Sequence, residues 1–164
     1  MPEDGIYLFI DAGLRVERKK ASICMVAMDS KGTLLHAHGS PIQFVGKAMI
    51  AEAFATRKAI ERAIQNGLRK IYIFSDAKGI VDMLKRSVKA SWDVEVACEN
   101  IWNMTSNLEH VSFVYIPRIF DSVAHNLAQF SVFLVHGVSW GSIFPSWVVK
   151  EAVRFFEHIS SFKH

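Results

Sequence analysis

The sequence predicts an α/β domain built on a five-stranded mixed sheet with helices on both faces. Three apolar segments follow one another early in the chain and are joined by short turns, which favours antiparallel neighbours. Two later apolar segments come after helical stretches, which favours parallel strands added by right-handed crossovers. The chain has 164 residues, of which 51% are hydrophobic, and this is enough for one domain with a substantial core.

The predicted strands are short apolar segments bounded by turn residues. The first is almost entirely apolar, as expected for a strand that is covered on both faces. A turn is predicted at residues 29–32, where Gly32 can adopt a positive φ. The strands are predicted at residues 6–10, 21–28, 33–42, 70–74 and 111–116.

The predicted helices begin with a long segment at residues 48–66, which Asn66 and Gly67 end. The apolar residues expected on its buried face are Ile50, Phe54, Ile60 and Ile64. A second row carries small side chains that allow close approach to a sheet, namely Thr56, Ala59 and Ala63, and Glu52 lies on this row. Further helices are predicted at residues 77–85, 93–107, 121–136 and 145–162.

The charge of the chain is mildly basic and unevenly spread. The net charge of +3 permits nucleic-acid binding without requiring it. Charge runs are commonly solvated loops, so the basic clusters by themselves do not establish a binding surface. One cluster consists of Arg15, Arg18, Lys19 and Lys20, and a second of Lys85, Arg86 and Lys89.

The two cysteines favour an intracellular compartment. Cys24 falls in a predicted strand and Cys98 in a predicted helix, and no metal-ligand spacing joins them. Reduced structural thiols are therefore expected, which suits the nucleus or the cytoplasm. The first residues also lack the basic start of a signal or transit peptide.

A stretch without Asp, Glu, Lys or Arg runs from residue 122 to residue 149. It includes a GxxxG spacing from Gly137 to Gly141, which occurs in membrane helices. However, His, Asn, Gln, Pro and several Ser residues dilute its apolar character. We therefore expect a helix packed on the sheet followed by an irregular turn, and no membrane partner.

Three acidic residues stand where predicted elements begin or end. Asp11 follows the first strand, Asp76 follows the fourth, and Glu52 lies near the start of the long helix. Open α/β sheets place ligands beyond the carboxyl ends of their strands. Converging carboxylates need a cation, and hard cations such as Mg²⁺ prefer oxygen ligands. The sequence therefore predicts a hard-metal site, with phosphoryl transfer as the accompanying chemistry.

Four local motifs occur in order along the chain. They are Phe-Ile-Asp-Ala at residues 9–12, Ala-Glu-Ala-Phe-Ala at 51–55, Phe-Ser-Asp-Ala at 74–77, and the segment 116–128, which starts Ile-Pro-Arg and ends Ala-His-Asn-Leu-Ala. Together they resemble the plant-type, reverse-transcriptase-like ribonuclease H domain, and the likeness covers nearly the whole chain. Residues 1–164 are then one ribonuclease H-like domain, in which residues 138–164 resemble the C-terminal extension of plant members.

The resemblance implies a metal-dependent endonuclease that hydrolyses the RNA strand of RNA/DNA hybrids. Asp11, Glu52 and Asp76 match the acids that hold two Mg²⁺ ions, or Mn²⁺ in their place, roughly 4 Å apart in such sites. In that family one ion activates the attacking water, and the other stabilises the leaving 3′ oxygen.

One position departs from the pattern of many ribonucleases H. Where those enzymes place a fourth carboxylate in the last helix, this chain has His125. Imidazole is a poorer Mg²⁺ ligand than carboxylate, so His125 is expected to move a proton or to contact phosphate. Asp121 lies one turn earlier, where it either substitutes as a metal ligand or caps the helix.

Phosphate contacts are expected from basic residues near the predicted site. The candidates are Arg15, Arg18, Lys19, Lys20 and Arg118, of which Arg118 is the leading one. Trp92 and Trp102 lie between the two middle helices and are expected in the core or beneath a loop. The chain has no basic, aromatic-rich insertion there, so weak intrinsic affinity for hybrids is expected.

Two other function classes stay open on the sequence. One is a catalytically weak or inactive module that binds nucleic acid or a protein, because the fourth acid is replaced. The other is an exonuclease or nucleotidyl transferase, because a fold alone does not fix the reaction. His36 and His38 share a strand face, but no acid or Cys accompanies them and we expect no metal there.

Overall fold

The structure is a computed structural model that describes residues 4–15, 20–43, 46–118, 138–140 and 149–150. The helix predicted at residues 121–136 lies outside the described residues, and so does most of the helix predicted at 145–162. Most of the uncharged stretch, including the GxxxG spacing, also lies outside them. Among the helices that are described, none is long and apolar enough to cross a membrane.

The sheet has the mixed arrangement that the sequence predicts. Strands β1, β2 and β3 form an antiparallel meander, β4 pairs parallel with β1, and β5 pairs parallel with β4. The resulting strand order is β5-β4-β1-β2-β3-β6. The strands are β1 (Ile6–Arg15), β2 (Lys20–Asp29), β3 (Leu34–Gln43), β4 (Lys70–Ser75), β5 (His110–Tyr115) and β6 (Val138–Trp140).

Two features of the sheet differ from the prediction. Strand β1 does not end at Ile10 but continues to Arg15, because its second half stays paired with β2 after β4 has ended. The three-residue strand β6 was not predicted, and it pairs antiparallel with β3 at residues 37–39. So short a strand has little periodicity of its own and depends on the open edge of β3.

Three helices are described, α1 (Ala48–Gln65), α2 (Lys78–Leu84) and α3 (Glu95–Thr105). Helix α1 packs against β1 and β2 and also contacts α3. Its fully buried residues are Ala51, Ala53, Ala55, Thr56, Ala59, Ile60 and Ala63. The predicted apolar face is therefore only partly correct, since Ile50, Phe54 and Ile64 are half-buried. Small side chains face the sheet because they permit the closest approach of helix and strand.

The core lies between this sheet and the helices α1 and α3. Leu8 and Ile10 of β1 are fully buried there with Ile73 of β4 and Ile101 of α3. Neither Cys24 nor Cys98 forms a disulfide, and both are buried, as the sequence predicts. The shared core fixes α1 over the sheet, and this position determines where Glu52 lies.

Candidate metal centre

Asp11 lies where β1 separates from β4. The two strands pair in parallel from Ile6 opposite Ile71 to Ile10 opposite Ser75, so Asp11 and Asp76 are the next residues on neighbouring strands. The side chain of Asp11 is fully buried, and its carbonyl oxygen accepts a hydrogen bond from the Cys24 thiol at 3.4 Å. Asp11 is therefore held by strand pairing on the side of β2.

Asp76 is positioned by the end of β4. The hydroxyl oxygen of Ser75 accepts a hydrogen bond from the Ala77 N–H at 3.1 Å, which orders the turn into α2. The carbonyl oxygen of Ser75 accepts another from the Ile116 N–H at 3.0 Å, which ties β4 to the end of β5. The Asp76 side chain is only 5% exposed. Its carboxylate is thus fixed from both sides of the strand.

Glu52 reaches the same place from α1. Its Oε1 atom accepts a hydrogen bond from the Ala12 N–H at 3.4 Å. Its Oε2 atom is buried and accepts no hydrogen bond from the part of the chain that the structure describes. A buried carboxylate oxygen without a donor is costly unless a proton or a cation satisfies it.

The three carboxylates form one cluster. One oxygen from each of Asp11, Glu52 and Asp76 can be chosen so that all three lie within 4.8 Å of one another. Burial raises the pKa of Glu52 well above its usual value, and the negative charges of Asp11 and Asp76 raise it further. All three donors are hard oxygen atoms, so the donor set fits a divalent cation of the Mg²⁺ class.

Arg118 is the predicted basic residue that the structure brings to this cluster. Its Nε–H donates a hydrogen bond to Asp76 Oδ2 at 2.7 Å. The Arg118 side chain is 66% exposed, and the contact with Asp76 raises its pKa. The pairing follows from topology, because Asp76 and Arg118 come after neighbouring parallel strands. The sequence contained this signal, although only a phosphate contact was expected from it.

The other predicted basic residues lie elsewhere or outside the described residues. Arg15 ends β1 opposite Lys20, the first residue of β2. This end of the hairpin is four residues past Asp11, or about 13 Å along the strand. Arg18 and Lys19 lie outside the described residues. The same holds for Asp121 and His125, whose assignments stay predictions.

The two middle tryptophans have different environments. Trp102 lies within α3 and not between the two middle helices as predicted. It is half-buried, its Nε1–H donates to the Leu84 carbonyl oxygen at 3.1 Å, and the Arg86 guanidinium lies 4.3 Å from its ring centre. Trp92, in contrast, is 84% exposed, so its expected place in the core is wrong. It lies in the turn before α3. Hydrophobicity alone does not reveal such an exposure.

His36 and His38 lie on β3, away from the carboxylate cluster. Burial and the nearby Arg62 lower the pKa of His38 to about 4. The same two causes lower the pKa of His36. Beside His38, a cavity of about 400 Å³ is lined by residues of β2, β3 and α1. Its lining includes Ile23, Met25, Phe54 and Arg62.

Comparison with protein families gives one match. The model of a family described as reverse transcriptase-like matches residues 9–131, which is three quarters of the chain. The match includes all three clustered acids and the segment that contains Asp121 and His125. A comparison with individually curated proteins finds no match.

Several solved structures share the fold. Ribonuclease H1 of Halobacterium salinarum is 19% identical, with a TM-score of 0.71 over 77% of this chain and 96% of that one. LC11 ribonuclease H1, isolated from compost and solved in complex with an RNA/DNA hybrid, is 22% identical with the same score and coverages. The foamy viral protease-reverse transcriptase, solved with double-stranded DNA, is 18% identical with a TM-score of 0.65, over 81% and 98%.

Proposed function

Because the chain belongs to the reverse transcriptase-like family of ribonuclease H-like domains, we propose that it is a metal-dependent endonuclease that hydrolyses the RNA strand of RNA/DNA hybrids. The observation that carries this proposal is the cluster of Asp11, Glu52 and Asp76, whose carboxylate oxygens lie within 4.8 Å of one another. The three acids come from β1, α1 and the end of β4, so the fold assembles them from distant parts of the chain.

These three residues would hold divalent cations, with Mg²⁺ or Mn²⁺ as the proposed ions and two of them as the proposed number. Bound cations of this kind supply an activated water and stabilise the charge on a leaving oxygen. Asp11 is fully buried and Asp76 is nearly so, which keeps their carboxylates oriented before any ligand arrives. Such preorganisation avoids a reorganisation cost during the reaction.

Arg118 supports the nucleic-acid part of the proposal. Its guanidinium lies at the rim of the carboxylate cluster and is mostly exposed, so it is accessible to a backbone phosphate. Lys20 is exposed as well, farther along the β1–β2 hairpin. Two of the solved structures with this fold contain an RNA/DNA hybrid and double-stranded DNA respectively. Contacts of this type weaken as the salt concentration rises.

The test is cleavage of a labelled RNA/DNA hybrid with Mg²⁺ or Mn²⁺ by the wild type and by Asp76→Asn. We expect metal-dependent cutting that Asp76→Asn abolishes and chelation stops. The matched control is Asp82→Asn on α2, an acid that pairs with Lys78 at the surface. The control is expected to cut like the wild type. Absence of cutting by a folded wild type with either ion would refute the enzyme proposal.

A second candidate is a domain that binds nucleic acid but cuts poorly or not at all. The observation that favours it is His125, which stands where many members have a carboxylate. Imidazole binds Mg²⁺ less well than carboxylate. This candidate predicts retarded migration of the hybrid in a gel shift with no cleavage products. Introducing the carboxylate that many members have there, by His125→Asp, is then expected to increase hybrid cleavage.

For the cellular location, we propose the nucleus or the cytoplasm. Both cysteines are buried and neither forms a disulfide, as expected for a protein that folds under reducing conditions. Imaging of a fluorescent fusion tests this directly, and accumulation in the secretory pathway would contradict it.

A further inference from the structure

The ion pair between Arg118 and Asp76 is asymmetric. The Arg118 Nε–H donates to Asp76 Oδ2 at 2.7 Å, but the acid is 5% exposed whereas the arginine is 66% exposed. Asp76 is anchored by the hydrogen bonds that Ser75 accepts from Ala77 and Ile116. If the pair opens, the arginine is therefore the partner that moves.

This ion pair occupies an oxygen of a metal-ligand candidate. Asp76 belongs to the three-acid cluster, and a guanidinium on its Oδ2 atom brings a positive charge to the rim of that cluster. A divalent cation bound by the same carboxylate would be repelled by that charge and would share the negative charge of Asp76 with it. Metal binding and the Arg118–Asp76 pair therefore oppose each other.

The same guanidinium also lies where a nucleic-acid backbone would approach. A phosphate and a carboxylate accept the arginine fork in the same way, so the two anions compete for Arg118. A phosphate bound to Arg118 weakens the Arg118–Asp76 pair, and a metal bound to Asp76 weakens it as well. Each ligand thus lowers the free-energy cost of binding the other.

We propose that Arg118 is an internal counter-cation that closes the metal site and that couples metal binding to nucleic-acid binding. The inference rests on the proposed function, because it uses the same carboxylates and the same class of substrate. In this role Arg118 acts on the metal through its charge beside Asp76, in addition to contacting phosphate. Its effect is to disfavour metal in the absence of nucleic acid and to make the two ligands bind cooperatively.

Thermodynamic reciprocity sets the expected size of the effect. If nucleic acid increases the metal affinity by some factor, metal must increase the nucleic-acid affinity by the same factor. Coupled sites commonly show factors of about 5 to 150. The Arg118 side chain is mostly exposed, so water screens its charge and we expect a factor of about tenfold, near the lower end.

The test measures Mn²⁺ affinity by the electron paramagnetic resonance signal of free Mn²⁺, in the wild type, Arg118→Ala and Arg118→Lys. The control is Arg69→Ala, which removes an exposed arginine that pairs with Glu109. Each protein is titrated alone and with a duplex of DNA and 2′-fluoro RNA, whose integrity is checked on a gel. Cleavage of an ordinary hybrid by the wild type is measured in parallel.

Without duplex, Arg118→Ala is expected to bind Mn²⁺ about tenfold more tightly than the wild type and the Arg69→Ala control. Adding duplex is expected to tighten Mn²⁺ binding to the wild type by a larger factor than it tightens Mn²⁺ binding to Arg118→Ala. Arg118→Lys keeps the charge without the planar fork, so its Mn²⁺ affinity is expected to lie between the two.

Equal Mn²⁺ affinity of Arg118→Ala and the wild type without duplex would overturn the inference. It would also fall if the duplex tightened Mn²⁺ binding to both proteins by the same factor. In either case, hybrid cleavage by the wild type would still support the proposed nuclease function. Conversely, coupling that is observed without any cleavage refutes the nuclease proposal and supports the inference for a binding domain.

Discussion

The Ala12 N–H donates a hydrogen bond to Glu52 Oε1 at 3.4 Å and so joins the sheet to helix α1 one residue beyond Asp11. The geometry of the acidic cluster therefore depends on how closely α1 approaches β1. That approach is set by the small buried residues of the helix, among them Ala53 and Ala63. A change in the packing of α1 is therefore expected to displace Glu52 relative to Asp11, even when the change lies far from the acids.

Enlarging Ala63 tests this dependence. Ala63 is buried in the core, so Ala63→Leu is expected to push α1 outward and to destabilise the protein by about 1–3 kcal/mol. Hybrid cleavage under stabilising conditions is also expected to fall, because Glu52 moves with the helix. The control is Ala48→Leu at the exposed start of α1, which should change neither denaturant stability nor cleavage.

The raised pKa of Glu52 makes metal-free stability depend on pH. The pKa of the folded state lies above the unfolded value near 4.5, so the folded state holds the proton more tightly. Glu52 is protonated in both states at about pH 4, and it destabilises the fold progressively as the pH rises from there toward the folded pKa. Glu52→Gln should thus be more stable than the wild type at about pH 8.

Chemical denaturation in the presence of a chelator measures this difference. The greater unfolding free energy of Glu52→Gln is expected to disappear near about pH 4. In a thermal melt, each kcal/mol of added unfolding free energy should raise the melting temperature by about 2–4 °C. Glu109→Gln, an exposed acid that pairs with Arg69, is the control. If Glu52→Gln is less stable than the wild type at about pH 8, the ionised Glu52 carboxylate does not destabilise the metal-free fold.

Divalent metal should stabilise the folded protein. A ligand that binds only the native state at roughly 100 times its Kd adds about 2.7 kcal/mol to the unfolding free energy. We expect Mg²⁺ or Mn²⁺ to raise the melting temperature of the wild type in a concentration-dependent way. Asp11→Asn removes one charged ligand of the cluster and is expected to lose most of this rise. An equal rise in both proteins would place the ions elsewhere.

The two tryptophans should differ in their contribution to stability. Trp92→Ala is expected to change the unfolding free energy by less than about 0.5 kcal/mol, because its side chain is exposed. Trp102→Ala removes a hydrogen bond to Leu84 and the contact with Arg86, and a loss of about 1–3 kcal/mol is expected. Urea denaturation of both variants makes the comparison, and equal losses would contradict the observed burial.

Much of the fold could be predicted from local patterns. Apolar runs and the turn at residues 29–32 predicted all three meander strands, because strand periodicity and turn chemistry are properties of neighbouring residues. The prediction that the first strand ends at Ile10, with Asp11 after it, was wrong. Asp11 pairs opposite Cys24, and only partner strand β2 shows that the ladder continues.

The sequence by itself determined which acids form the site, since Asp11, Glu52 and Asp76 stand at element positions that the fold must bring together. Only the tertiary structure decided that Arg118 closes on Asp76 and that Trp92 faces outward. The physical reason is that strand and helix propensities act over a few residues. An ion pair across 42 positions, or the exposure of one side chain, depends instead on how distant elements pack.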